Sequence, residues 1–233
     1  MAKSPSTRAG AQARRQVWDA AIRLFAAKGF HGVGIRELAE GAGMSSATLY
    51  HYMGTKEELL ASIMRASLDR LNDAAGRVTA DASDPQAQIV RLVHVHVLTH
   101  ALRPEETAVV DNELEALRAE RRTAMVALRD AYEDHWRRAI ANGCASGLFT
   151  VPDRTFARMA LLEMCSGVAK WYSPDGSIAL DGVATAHARL ALQLLGVPAH
   201  TMPRPDPAEI QAARALVEEI WQVSLGASAP DPA

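Results

Sequence analysis

The chain has 233 residues, 48% of them apolar and only 5% aromatic; that length suits a small domain joined to a larger one, and the Ala- and Leu-rich balance favours packed helices over sheets. No charged-then-apolar leader opens the chain, no apolar run approaches the ~20 residues needed to cross a bilayer, and Cys144 and Cys165 lack the paired spacing of zinc or redox motifs. An all-α cytoplasmic protein with reduced thiols and no membrane partner is expected. The net charge of −2 would argue against nucleic acid, but it is unevenly spread: residues 1–60 hold eight Lys or Arg against five acids, a basic head on an acidic body that can direct one end towards phosphate.

In chain order, residues 1–13 are small, polar and basic and are expected to form a flexible arm able to track a DNA backbone. Val17, Ala21, Leu24 and Phe25 recur at helical spacing, predicting a helix over 14–28 stopped by Gly29. Short helices follow over 35–42 and 46–52, separated by the turn at Gly43 and Met44. A fourth runs from Lys56 to the polar stretch 79–83.

Asp84-Pro85 reads as an N-cap with proline in the first turn, opening a helix that Arg103-Pro104 closes. A helical region broken once spans 105–143, further helices span 153–172 and 181–195, and a Pro-rich linker leads to a final amphipathic helix. The expected division is an arm (1–13), a DNA-binding head (14–60), a ligand-binding and dimerisation body (61–195), a linker (196–207) and a C-terminal helix (208–225).

Residues 34–60 carry the strongest chemical signal, because two short helices joined by a tight Gly-containing turn make a helix-turn-helix. Ser45 caps the third helix, so Ser46, Ala47 and Thr48 lead into the major groove, where short side chains approach base edges and thymine methyls. Tyr50, His51 and Tyr52 offer polar groups to phosphate, and Arg36 on the preceding helix is a flanking DNA-binding candidate. Lys56 opens the next helix at the end where a cation is unfavourable for the helix dipole, which phosphate contact would offset.

This segment resembles the TetR family of bacterial repressors, with Ala21, Leu24-Phe25, Gly29-Phe30, Ile35, Ala39, Gly43-Met44-Ser45, Thr48-Leu49-Tyr50 and Lys56-Glu57 in the family pattern. The resemblance implies a homodimer that grips two half-sites of a palindromic double-stranded operator and releases it on binding a small inducer. Gly34 departs from the Thr or Ser that usually caps the second helix. Ser46-Ala47 replaces the usual Lys-Gly or basic-Pro pair, so operator sequence does not carry over.

In the body, Met125, Leu128, Tyr132 and Trp136 form a stripe at helical spacing that continues back to Arg118 and Arg121. An apolar channel with cations at its mouth would suit a hydrophobic acid or thioester. The stretches ELEAL, RDAYEDHW, GLFTVPDRTFARMALLEM and WYSPDG, between Glu113 and Gly176, resemble the acyl-CoA-responsive branch that controls lipid or steroid breakdown. That resemblance implies an acyl-CoA or related acid as inducer, with Met159 and Trp171 beside it; a neutral aromatic or drug-like inducer is the alternative. Dimerisation is expected through Ala160, Leu161, Met164 and Val168 with Ala184, Ala188, Ala191 and Leu195, as a four-helix bundle.

His96 and His100 share a helical face, but His94 does not, and nothing completes a metal set, so core or pocket histidines are favoured. No nucleophile elbow, phosphate loop or carboxylate pair appears, and neither enzymatic activity nor a cofactor is expected.

Overall fold

A computed structural model describes residues 5–82 and 84–223, with side chains from residue 10 onward. Among these residues every regular element is helical: α1 (Pro5–Gly32), α2 (Ile35–Gly41), α3 (Ser46–Met53), α4 (Lys56–Ala80), α5 (Pro85–Leu102), α6 (Pro104–Asn112), α7 (Ala119–Ala145), α8 (Arg154–Ser166), α9 (Val168–Trp171), α10 (Leu180–Leu194) and α11 (Pro207–Trp221). None is long and apolar enough to cross a membrane.

The helix boundaries follow local chemistry. Asp84, Asp153 and Asp206 each cap a helix by accepting backbone N–H bonds, from Ala87, from Thr155 and Phe156, and from Ala208; such caps satisfy donors the helix cannot. Pro85 and Pro207 then occupy the first turn, where the missing N–H is harmless. Thr55 and Glu58 form a reciprocal capping box at the start of α4: the Thr55 N–H donates to Glu58 Oε2 (2.9 Å) and the Glu58 N–H to Thr55 Oγ1 (3.1 Å).

Three boundaries differ from the sequence expectation. Helix α1 begins at Pro5, so of the expected arm residues 5–13 are helical, with proline in the first turn and an Ala-, Gln- and Arg-rich run behind it; residues 1–4 lie outside the described residues. The expected stop at Gly29 appears as a kink, with φ 72° and ψ 157°. The single helix expected over 153–172 breaks at Gly167, where the Lys170 N–H closes a tight bond to the Gly167 carbonyl (3.0 Å).

The chain divides into two compact units: residues to Leu68 together with Glu105–Leu128, and Asp69–Pro104 together with residues from Arg129 on. In the first, α1, α2 and α3 pack on one another around Phe25, Leu38, Leu49 and Leu60, and Val109, Val110, Leu117 and Met125 complete the same core. A cut at residue 60 therefore misses a segment that returns from later in the sequence.

The second unit is organised around α5, which packs against α8, α9, α10 and α11. Twelve of the eighteen α5 residues are buried, so this helix has almost no solvent face and sits at the centre of its unit. Trp136, Leu161, Val168, Ala184, Ala191, Val217 and Trp221 surround it in one core. Arg77 pairs with Glu219 through two bonds of 2.9 and 3.0 Å, and Arg214 meets Asp181 at 2.6 Å, tying α11 to α4 and α10.

Candidate nucleic-acid interface and sensor core

The recognition surface begins with the cap that orients α3. Ser45 Oγ accepts the Thr48 N–H (3.2 Å) and lies 2.9 Å from Thr48 Oγ1, so one serine fixes both the helix start and a residue on its outer face. Leu49 and Met53 point into the core. Ala47, Thr48, Tyr50 and His51 are exposed, with Ser46 half-buried beside them. Tyr50 is 52% exposed, which leaves its ring as well as its hydroxyl available to a partner. Arg36 on α2 is likewise exposed.

Lys56 is arranged differently from the sequence expectation. Its ammonium donates to the carbonyls of Phe30 (2.8 Å) and Val33 (2.7 Å) and lies 4.2 Å from the Phe30 ring centroid. Burial lowers its pKa, and only one of its three N–H donors remains for phosphate. The lysine joins the end of α1 to the start of α4; its place at the wrong end of the helix dipole is offset by protein carbonyls.

The arginines expected at a ligand channel are also engaged within the first unit. Arg118 Nε lies 3.1 Å from Glu57, and the Arg118 N–H donates to the same carboxylate (3.0 Å). Arg121 bridges Glu57 (3.2 Å) and Glu58 (2.9 Å). These donors hold both glutamates below the usual carboxylate range, the backbone N–H bonds from Arg118 and Thr55 contributing most. The expected apolar stripe is core: Met125 and Leu128 belong to the core of the first unit, Tyr132 and Trp136 to that of the second. Met159 and Trp171 are instead 50% and 55% exposed. Of the eight residues, Arg118, Arg121, Met125 and Leu128 belong to the first unit and Tyr132, Trp136, Met159 and Trp171 to the second.

The second unit contains a buried polar cluster that the sequence signalled only as a histidine spacing. His96 and His100 stack with ring centroids 3.8 Å apart. The Tyr132 hydroxyl lies 2.7 Å from His96 Nδ1 and the Ser166 hydroxyl 2.9 Å from Nε2, so a neutral imidazole donates to one and accepts from the other. The His100 Nδ1–H donates to the His96 carbonyl (2.8 Å). Burial lowers the pKa of His100 to about 4 and that of His96 well below its ordinary value, and pushes the Tyr132 hydroxyl up. Thr99 Oγ1, on the same helix, is buried with no hydrogen-bond partner among the described residues.

The expected dimer face needs correction. Leu161, Val168, Ala184, Ala188, Ala191 and Leu195 are buried within the protomer and Met164 is partly buried; of the eight only Ala160 is exposed. The exposed apolar residues are Phe156 and Met159 on α8 and Leu190 and Leu194 on α10, Phe156 at 71%. Both helices are apolar on two faces, and periodicity alone does not say which face meets the chain's own core.

The architecture agrees with its relatives. A family model described as "Bacterial regulatory proteins, tetR family" matches residues 17–63, and one described as "Tetracyclin repressor-like, C-terminal domain" matches 82–195. The chain is 28% identical over 187 residues to the HTH-type transcriptional repressor KstR2 of Rhodococcus jostii (strain RHA1), covering 79% of this chain and 92% of that one. The TetR family regulator PfmR from Thermus thermophilus superposes with a TM-score of 0.68 at 29% identity, covering 76% of this chain and 97% of PfmR. AibR, solved with isovaleryl coenzyme A and operator DNA, gives a TM-score of 0.69 at 24% identity over 76% of this chain and 97% of AibR. With both family models in chain order and a helix-turn-helix presented by a capped α3, this chain belongs to the TetR family of transcriptional regulators and is not an enzyme.

Proposed function

We propose that the chain is a homodimeric repressor that reads a palindromic operator with α3 and releases it when a hydrophobic small molecule enters the second unit. The observation that carries the reading is the outer face of α3, where Ala47, Thr48, Tyr50 and His51 stand exposed behind the Ser45 cap. Thr48 and Ala47 suit base edges and thymine methyls, while Tyr50, His51 and Arg36 suit phosphate.

The second copy meets this one through the exposed faces of α8 and α10. Gly182, Ala186, Leu190 and Leu194 recur every four residues along α10 and are all exposed, a ridge of graded size that suits helix-on-helix packing. Leu190→Glu should give a monomer by light scattering while keeping helicity; a variant that remains dimeric would overturn the assignment of this face.

For the inducer, the isovaleryl coenzyme A held by AibR, a protein of the same fold, supports an acyl-CoA or related acid. A second reading, a neutral aromatic or drug-like inducer, is favoured by this chain's own geometry. Arg118 and Arg121 are held by Glu57 and Glu58, and the polar groups around His96 are uncharged. Either ligand releases DNA only by binding better to the conformation that does not fit successive major grooves.

The decisive experiment is fluorescence anisotropy with the DNA upstream of the chain's own gene, over a salt series, with and without fatty acids, steroid acids, their CoA esters and neutral aromatics. Specific binding that weakens with salt and is relieved by one ligand class is expected. Thr48→Ala should change sequence preference, and His51→Ala should weaken all operators alike. Binding to every DNA with equal affinity, unaffected by either substitution, would overturn the repressor reading.

A further inference from the structure

Beyond both matched stretches, residues Pro203–Glu209 form one wall of a small cavity against α5 and α10, whose other lining includes Val90, His94, Ala188, Arg189 and Leu192. About 30 Å³ is enclosed, within about 370 Å³ of space that merges with solvent. At ~10–15 Å³ for each water-sized occupant, the enclosed part takes a terminal group of about two or three heavy atoms.

The lining of this cavity includes one buried imidazole. His94 is 5% exposed, and its Nδ1 has no hydrogen-bond partner among the described residues. Burial lowers its pKa to about 4 against an opposing pull from Asp181, so it is a neutral imidazole able to meet a hydroxyl or carbonyl. Asp181 itself is taken by Arg214.

The opening carries two arginines beside two acids. Arg189 and Arg204 are exposed and line the opening, with no ion-pair partner among the described residues. Of the two acids there, Asp206 is occupied as the α11 cap, and Glu209 faces Arg91 at 3.4 Å. Val90, Ala188, Leu192, Pro203 and Pro205 supply apolar walls. Pro203, Pro205 and Pro207 restrict the backbone of the outer wall, so little ordering remains to be done on binding.

We infer that this cavity is a binding site for a short hydroxy- or oxo-carboxylic acid, its hydroxyl or carbonyl on His94 and its carboxylate between Arg189 and Arg204. The three parts match one molecule: a small polar end, a short apolar stem and a single negative charge. A carboxylate at the rim meets two arginines that no acid pairs, since Glu209 faces Arg91 and Asp206 caps α11.

The test is calorimetric titration of the full-length chain with 4-hydroxybutyrate, butyrate and 1-butanol in parallel, read without DNA so that its outcome stands apart from operator binding. 4-Hydroxybutyrate is expected to bind saturably, and butyrate and 1-butanol at least about tenfold more weakly, since each lacks one charge-assisted or buried hydrogen bond. Arg204→Ala, on the surface and away from any core, should weaken 4-hydroxybutyrate by about tenfold with an unchanged melting temperature. Ala188→Met, which fills the cavity, should abolish binding. Because that buried change risks the fold, Arg189→Ala serves as a second exposed variant with the same expected weakening as Arg204→Ala. Absence of saturable binding up to tens of millimolar, or binding indifferent to both arginine substitutions, would overturn the assignment.

Discussion

The first and second units use polar residues differently. The first buries Ser67, Glu106 and Thr107, but its recognition face is outward: Ser45, Thr48, Tyr50 and His51 stand on the surface of a small core, and Glu37, Glu57 and Glu58 are held by exposed or half-exposed cations. In the second, the chemistry is inside: His94, His96, Thr99, His100 and His187 are all buried in an apolar core. Polar groups on a surface are satisfied by water, whereas those buried in an apolar core need partners within the protein.

The largest consequence is a difference in acid sensitivity. A buried histidine with a lowered pKa contributes stability that is complete above its unfolded value near 6.5 and is lost as pH falls towards its folded value. For His94 and His100 that window runs from 6.5 down to about 4, amounting to about 3 kcal/mol each at its lower end. Glu37, Glu57 and Glu58 have lowered carboxylate pKa values, so their contribution is present above 4.5 and is lost only below it. At pH 5, hydrogen exchange should therefore accelerate in α5 and α10 well before it does in α2 and α3. Uniform acceleration in both units would remove the distinction.

The same contrast explains what was legible in the sequence. In the first unit the turn at Gly43, the Ser45 cap and the alternation of Leu49 and Met53 with exposed residues are local signals, and each falls within a few residues of its structural effect. The partners of Lys56, Arg118 and Arg121 lie 23 to 64 residues away, a distance at which spacing carries no information. In the second unit, helices apolar on two faces gave the existence of α8 and α10 but not their orientation, and the stacking of His96 on His100 showed in the sequence only as an i,i+4 pair.

Next in size is a packing test within the second unit. A Cβ at Gly143 would run into the ring of Phe149, which is itself buried. Ordinarily Gly→Ala within a helix stabilises by up to about 1 kcal/mol, but here overpacking should win, for a net loss of about 2 kcal/mol. Gly32, whose Cβ would meet only Lys28 Cβ at 3.5 Å, supplies the comparison in the first unit. If Gly143→Ala melts as high as Gly32→Ala, the close approach of Phe149 is not a constraint.

A smaller effect is expected from the ion pairs joining α7 to α4. Arg121 is about one-third exposed, and its bonds to Glu57 and Glu58 are screened by solvent, so Arg121→Ala should cost at most about 1 kcal/mol. Its stability loss should shrink further in high salt. A loss that is independent of salt would show that the arginine acts through packing of its stem.

The smallest change from the parent chain, about a few tenths of a kcal/mol for Gly34→Ser, tests one of the two positions at which this chain departs from the family pattern. Gly34 occupies the N-cap of α2 with extended backbone, φ −88° and ψ 160°, and makes no side-chain cap bond. Half of a capping box is already present, because the Glu37 carboxylate accepts the Gly34 N–H. A Cβ at this position would meet nothing within 4 Å, so Gly34→Ser can place its hydroxyl on the free N–H at Glu37 without moving a neighbour. Two contributions separate cleanly. Replacing glycine with any residue that tolerates this backbone reduces the freedom of the unfolded chain, whereas only serine adds the cap. Gly34→Ala carries the first alone, so Gly34→Ser should exceed it by about 1 kcal/mol, or roughly 2 to 4 °C for a domain of this size. Equal melting temperatures for the two variants would mean that the first turn of α2 already satisfies its donors by other means.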